Sequence, residues 1–269
     1  MTIRVSALVS VYNAERFLEG RLVDLASQSL WERGELEIVV INSGSKQDDE
    51  SIVFEFWGHL EASARERLVY IKTMREPLYC AWNRGVRLAR GQYLTNANAD
   101  DRLAPDALER LCAALDDASS LVMGVYGDCY VTSTPNATWN GFYQLDYPSY
   151  YPLGFTNWDQ ATPEVMAERC VVGNCPLWRR DMHDKCGLFD ESYLLAGDYE
   201  MWLRAMAYGY RFLKIAGPPI GLFYHDPGQL SRANRQQIVM ETRRAQLRWV
   251  PFLRSGEVMD VSADNGTSC

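Results

Sequence analysis

The chain has 269 residues, 47% of them hydrophobic and 23% charged, with a formal net charge of -8; that is enough apolar chain to bury one large domain or two closely packed halves. The acidic balance argues against nucleic acid as a bulk partner, which needs a concentrated basic surface, so any phosphate must be held locally. No apolar run approaches the roughly 20 residues of a membrane span, the N-terminus carries no signal-peptide pattern, and the 7 cysteines, an odd number, include no Cys-X-X-Cys pair; a disulfide framework and a zinc ribbon are both disfavoured, and a cytoplasmic location with reduced thiols is expected.

Taken in chain order, short β-branched runs alternate with helical patterns through the first half, the signature of an α/β sheet. Strands are predicted at residues 5–10, 36–41, 68–71 and 92–95. Phe17, Leu18, Leu22, Leu25 and Ala26 fall on one helical face, able to cover such a sheet, and further helices are predicted over 48–65, 78–89 and 105–114. Residues 132–162 then read as a long, aromatic, Pro-bearing loop or lid. Regular patterns return with a strand over 171–178, a helix over 198–208, a strand over 211–215 and a last helix whose apolar face is Ile238, Thr242, Ala245 and Trp249. The tail 256–269 reads as disordered.

In open sheets of this type ligands sit outside the carboxyl ends of the strands. Three predicted ends are small and polar: Ser10-Val11-Tyr12-Asn13, Asn42-Ser43-Gly44-Ser45 and Asn96-Ala97-Asn98-Ala99-Asp100-Asp101. The third carries adjacent carboxylates and amides, the oxygen inventory that Mg²⁺ or Mn²⁺ takes together with substrate phosphates; a plain helix cap for Asp100 and Asp101 is the competing reading. Asp198 begins a helix, where the dipole favours its carboxylate form and leaves it able to accept a proton. His225 stands beside polar and small residues, with Ser231 and Arg232 forming an anion-binding turn, whereas His59 and His183 read as structural.

In this order, these segments resemble the family 2 glycosyltransferases of the GT-A fold, from Val5 to Arg232. Ser10 to Asn13, Ile38 to Ser45, Arg75 through Asn83-Arg84-Gly85, Asn98-Ala99-Asp100-Asp101, Gly187-Leu188-Phe189-Asp190-Glu191 and Asp198-Tyr199-Glu200-Met201-Trp202 carry the likeness. The resemblance implies an α/β GT-A fold: a Rossmann-like mixed sheet flanked by helices in a single compact domain, with an aromatic-rich acceptor-side insertion. Residues 1–131 would form the nucleotide-sugar half and 132–255 the acceptor and catalytic-base half.

The same likeness implies transfer of a sugar from a nucleoside-diphosphate sugar, a UDP-sugar favoured, to a hydroxyl of a saccharide or lipid-linked saccharide, with inversion, in bacterial polysaccharide or glycoconjugate synthesis. Asp198 becomes the catalytic base. Asp100, with His225, becomes the site of Mn²⁺ or Mg²⁺, and Ser10, Tyr12, Asn13, Asn42, Ser43, Arg75, Asn83, Asn98 and Arg232 are candidates for binding the donor. Three positions depart from the family pattern. Asn42 and Ser43 stand where two acids are usual, Asn98 replaces the first Asp of Asp-X-Asp, and Gly197 replaces an acidic neighbour of the base. A degenerate nucleotide- or carbohydrate-binding module is one alternative, opposed by retention of Asp100 and Asp198. A sugar nucleotidyltransferase is another, opposed by the lack of a Gly-rich cationic loop after the first strand. The late arginines, 232 to 248, suit a solvated helix face or at most a peripheral contact with the inner membrane face.

Overall fold

The computed structural model describes residues 2–144, 156–225 and 234–259. Its main sheet has seven strands in the order β3-β2-β1-β4-β8-β6-β9: β1 (Val5–Val11), β2 (Leu36–Asn42), β3 (Leu68–Lys72), β4 (Tyr93–Asn96), β6 (Val122–Tyr126), β8 (Leu177–Arg179) and β9 (Arg211–Lys214). The first four run parallel, and β8 is antiparallel to both β4 and β6. A smaller sheet sets β10 (Gly221–Tyr224) between β5 (Arg102–Leu103) and β7 (Cys129–Thr132).

β2 is buried at every residue, as a central parallel strand with both faces covered must be. One face of the sheet is sealed by α1 (Glu15–Ala26), α2 (Ser29–Glu32) and α6 (Ala107–Asp117), which pack with Val5, Ala7, Val9 and Ile38. The other lies under α5 (Leu78–Leu88), α9 (Met182–Cys186), α10 (Gly197–Ala207) and the C-terminal helix, and holds a cluster of Trp82, Trp178, Phe189, Trp202 and Trp249. Alternation along β1 sends Leu8 to this second face. His183 belongs here too: its Nε2 accepts from the Trp178 indole at 3.0 Å, and burial pushes its pKa down to about 4, the structural role expected of it.

Several predicted elements change extent. The helix of 48–65 is two, α3 (Asp49–His59) and α4 (Ala62–Arg65), broken at Leu60 and Glu61, which are extended. The strand of 171–178 shrinks to β8, because Cys175 takes a positive φ of 59° and Pro176 follows it. Within the predicted lid lie α7 (Trp139–Gln144) and, just past it, α8 (Pro163–Glu168). The last helix, α11, spans Arg235–Ser255, and beyond it the Met259 amide donates to the Ala207 carbonyl at 3.0 Å. The tail therefore packs on the body as far as Met259; the rest of it lies outside the described residues.

Candidate active site

Register brings the carboxyl ends of the central strands level: Val11 pairs with Asn42, and Asn42 with Lys72. A cavity of about 610 Å³ opens over these ends, lined among others by Ser10, Tyr12, Ser43, Arg75, Leu195 and Gln237. Four predicted binding residues thus share one wall. The Arg75 guanidinium lies 3.9 Å from the centre of the Tyr12 ring, a cation–π stack that holds a long cation and a partly exposed aromatic as one surface. Gly44 lets the backbone at Arg75 pass close to the second loop: it has a φ of 70°, and a Cβ there would meet the Arg75 backbone nitrogen at 2.7 Å.

The amide side chains proposed for the donor are mostly engaged in bracing these loops. Asn42 is 1% exposed; its Nδ2 donates to the Tyr70 hydroxyl at 3.1 Å and its Oδ1 accepts from the Ser45 amide at 2.8 Å. Asn13 Oδ1 accepts from the Lys46 amide, tying the first loop to the second. The Ser43 hydroxyl both donates to the Glu76 carbonyl and accepts from the Glu76 amide. Asn83, also 1% exposed, accepts from the Phe189 amide while its Nδ2 donates to the Phe189 carbonyl and to Glu191. In this structure the Asn42 and Asn83 amides are thus committed to neighbouring loops, which leaves them little hydrogen-bonding capacity for a ligand. Arg232 lies outside the described residues.

At the end of β4, Asp101 is 1% exposed and caps no helix; α6 has Asp106 in the cap position instead. Asp101 Oδ2 accepts from Asn98 Nδ2 at 3.1 Å and from Asn174 Nδ2 at 3.4 Å, and Oδ1 accepts from the Tyr224 amide at 3.1 Å. Burial, with the charge of Asp100 beside it, pushes its pKa up to about 7. Two buried arginines hold the turn from behind. Arg102 Nη1 donates to the carbonyls of Ala99 and Asp101, and Arg21 Nη1 to the carbonyl of Asp101 and to Asp24. Because Asn98 spends its nitrogen on Asp101, its Oδ1 is the atom left for a ligand.

Asp100 is half-buried at this turn, and His225 directly follows the residue whose amide reaches Asp101, so the two predicted metal residues belong to one neighbourhood. Among the described residues no group of three or more His, Cys, Asp or Glu side chains comes together to hold an ion. The hard oxygens of Asp100 and Asn98 suit Mg²⁺ or Mn²⁺ only in company with other oxygen donors, such as a diphosphate.

Asp198 sits in the first turn of α10. Its Oδ1 accepts from the Tyr199 amide at 2.8 Å and from the Tyr79 hydroxyl at 3.1 Å. Desolvation outweighs both bonds and raises its pKa, opposite in sign to the dipole effect expected from the sequence. Burial also holds the Tyr79 phenol well above its ordinary value, so it remains a donor. The departure at Gly197 has a steric cause: a Cβ there would sit 2.6 Å from the Tyr79 ring.

Glu241 was not singled out by sequence. This α11 side chain is 3% exposed, and its carboxylate accepts from the successive amides of Leu194, Leu195 and Ala196 at 2.8–2.9 Å and from Gln237 Nε2 at 2.7 Å. It thereby fixes the segment that lines the cavity and runs on to Asp198. Those bonds outweigh desolvation and lower its pKa. The available signal was its spacing: 241, 245 and 249 recur every four residues on the buried face. Trp158, in the aromatic segment, lies against Gly173, where a Cβ would sit 2.2 Å from its Nε1.

This layout is the GT-A fold of glycosyltransferases. TarS (residues 1–349) from S. aureus, in complex with UDP-GlcNAc, superposes with a TM-score of 0.66 at 14% identity, covering 97% of this chain and 69% of that one. The mannosyltransferase PcManGT from Pyrobaculum calidifontis, in complex with GDP-Man and Mn²⁺, gives 0.62 at 18% identity, covering 100% and 77%. The chain belongs to glycosyl transferase family 2, whose model matches residues 6–171, and it is a glycosyltransferase. A PGL/p-HBAD biosynthesis glycosyltransferase of Mycobacterium tuberculosis (strain ATCC 25618 / H37Rv) is 26% identical over 203 residues, 75% of this chain and 69% of the relative. EpsH of Bacillus subtilis (strain 168), provisionally named a glycosyltransferase, is 30% identical over 122 residues, 45% of this chain and only 33% of the relative's length.

Proposed function

We propose that the protein transfers a sugar from a nucleoside-diphosphate sugar to the hydroxyl of a saccharide or lipid-linked saccharide, with inversion at the anomeric carbon, in the cytoplasm of a bacterium assembling polysaccharide or glycoconjugate. The observation that carries this reading is the placement of Asp198. It stands three residues beyond the Leu195 wall of the strand-end cavity, with Oδ1 held by Tyr79 and Tyr199. Oδ2 is then the oxygen that takes the acceptor hydroxyl's proton as that hydroxyl attacks, and a pKa raised by burial makes the carboxylate a stronger base.

The donor's nucleoside lies over Tyr12 and Arg75, and its diphosphate lies toward Asn98 and Asp100. Asp100, with Asn98, would hold a divalent cation there, and such a cation would neutralise the charge that develops on the departing nucleotide. UDP is the favoured nucleotide, since TarS is seen in complex with UDP and with UDP-GlcNAc; Mn²⁺ is supported by its presence beside GDP-Man in PcManGT. Holding donor and acceptor in line while excluding water is the remaining task of the site.

The test is thermal unfolding with a panel of nucleotide sugars, each with and without Mn²⁺, because a ligand bound only by the native state raises apparent stability. One donor is expected to stabilise the protein in a metal-dependent manner. Absence of stabilisation by every nucleotide, metal present, overturns the reading.

A further inference from the structure

The outward face of α11 combines cations with exposed apolar side chains in a way no other described helix does. At 3.6 residues per turn, Arg235, Val239, Met240, Arg243 and Leu247 project within a sector of about 140°. Val239 is 60% exposed, Met240 59% and Leu247 63%. Arg235, Arg243 and, about three turns further on, Arg254 are exposed, and none of them is paired with a carboxylate among the described residues. The helix contains a single acid, Glu241, and it is turned into the protein.

Elsewhere the surface is different. Helix α3 also exposes Phe54 and Trp57, but beside Glu50 and Glu55, so an anionic surface would be repelled there. On a chain of net charge -8, a cationic face with no acid among its residues marks a direction of approach. We infer that this face of α11 docks reversibly on an anionic lipid bilayer, with the arginines at the headgroups and Val239, Met240 and Leu247 at the acyl boundary. Charge complementarity selects this occupant, because amphipathic helices of this composition lie in the interface plane, held by apolar burial and by attraction to anionic lipid.

The inference deepens the lipid-linked alternative for the acceptor proposed above and rests on it only for its purpose. Asn234 and Gln237, at the start of the same helix, line the strand-end cavity. A docked α11 therefore sets the mouth of that cavity at the bilayer, where a lipid-linked acceptor presents its sugar. Three apolar side chains and three arginines give weak, salt-sensitive binding and not permanent anchoring, in keeping with the absence among the described residues of any helix long and apolar enough to cross a membrane.

Flotation of the full chain with vesicles tests this, using phosphatidylcholine alone and phosphatidylcholine mixed with an equal part of phosphatidylglycerol. Binding is expected only to the mixed vesicles and is lost at high salt. The triple variant Arg235→Gln, Arg243→Gln, Arg254→Gln should partition on the order of a hundredfold more weakly. The variant Val239→Ser, Met240→Ser, Leu247→Ser should lose binding, whereas Arg87→Gln on α5 should retain it. Stabilisation by the nucleotide sugar is expected to survive in all of them, which separates this inference from the transferase reading. Wild-type binding that ignores lipid charge, α11 variants that bind as wild type does, or variants that change only the oligomeric state in sedimentation would overturn it.

Discussion

The hydroxyl of Tyr79 donates to Oδ1 of Asp198 at 3.1 Å, joining the helix that follows the third strand to the helix that begins with the proposed base. The bond favours the charged carboxylate and so opposes the upward shift from burial. Tyr79→Phe removes it without creating a large void. The acid limb of the kcat profile is expected to move to higher pH, with kcat at the plateau reduced only a few-fold. Asp198→Asn, by contrast, is expected to lose about 10²–10⁴ in kcat while retaining donor binding. Steady-state rates across pH, with donor affinity measured separately, distinguish the two; an Asp198→Asn variant of full activity would remove the base assignment.

Gly197 is the second residue on which this arrangement depends. Any side chain at 197 collides with the Tyr79 ring, so restoring the acid usual in the family, Gly197→Asp, is expected to lower both stability and activity. Gly197→Ala should cost about 1–3 kcal/mol, the usual penalty of overpacking, read from denaturant unfolding. A Gly197→Ala variant with wild-type stability and kcat would show that the ring yields freely.

The contrast between these two residues shows what sequence could and could not supply. β1 and β2 were legible because central strands covered on both faces are near-continuous apolar runs; the edge strand β3 and the short β4 were read from their β-branched and aromatic residues, and the ends Ser10, Ser43 and Asp100 followed. β6 was missed because Gly124 interrupts its short run, and β5 because it has two residues. Within the site, residue type alone does not say whether an amide faces a ligand or a neighbouring loop. Asn42 and Asn83 turned to the loops, and Asn98 divides itself between Asp101 and the open turn. Gly197 looked like lost acidity, when its meaning lies in the ring of Tyr79, 118 residues away in sequence.

Glu241 offers a test of how the base segment is held. Glu241→Gln substitutes a neutral amide for a carboxylate that accepts three backbone amides, and is expected to destabilise by about 1.5–3 kcal/mol, the usual worth of a hydrogen bond to a charged group. Its folded pKa is depressed. The stability it contributes is therefore present above the unfolded value, near 4.5, and is lost as pH falls through the lower folded value. The gap between wild type and variant should close on acidification; chemical unfolding at neutral and acid pH measures it. A lower kcat at unchanged donor KM, measured at a temperature where unfolding curves show the variant fully folded, would follow from looser placement of Asp198. A variant whose deficit in stability is the same at every pH would contradict the charge-based account.

Asp101 predicts the opposite slope. Its pKa is raised to about 7, against an unfolded value of about 3.9, so the folded state holds this proton more tightly than the unfolded chain does. The favourable contribution is complete below the unfolded value and is lost as pH rises through the folded one. Asp101→Asn removes the titration but places an amide nitrogen near those of Asn98 and Asn174, so some loss of stability is expected at every pH. What identifies Asp101 is the change with pH. The variant's deficit relative to wild type should shrink from pH 4 to pH 7 and level off above, as wild type alone takes on a buried charge behind the Asp100 turn. Thermal unfolding of both proteins across that range reads the difference, and parallel curves would show that Asp101 titrates elsewhere. If a cation and diphosphate bind at Asp100, their field should draw the Asp101 pKa down when the charge of the cation prevails, and the same pair of curves recorded with Mn²⁺ and the donor nucleotide should level off at a lower pH.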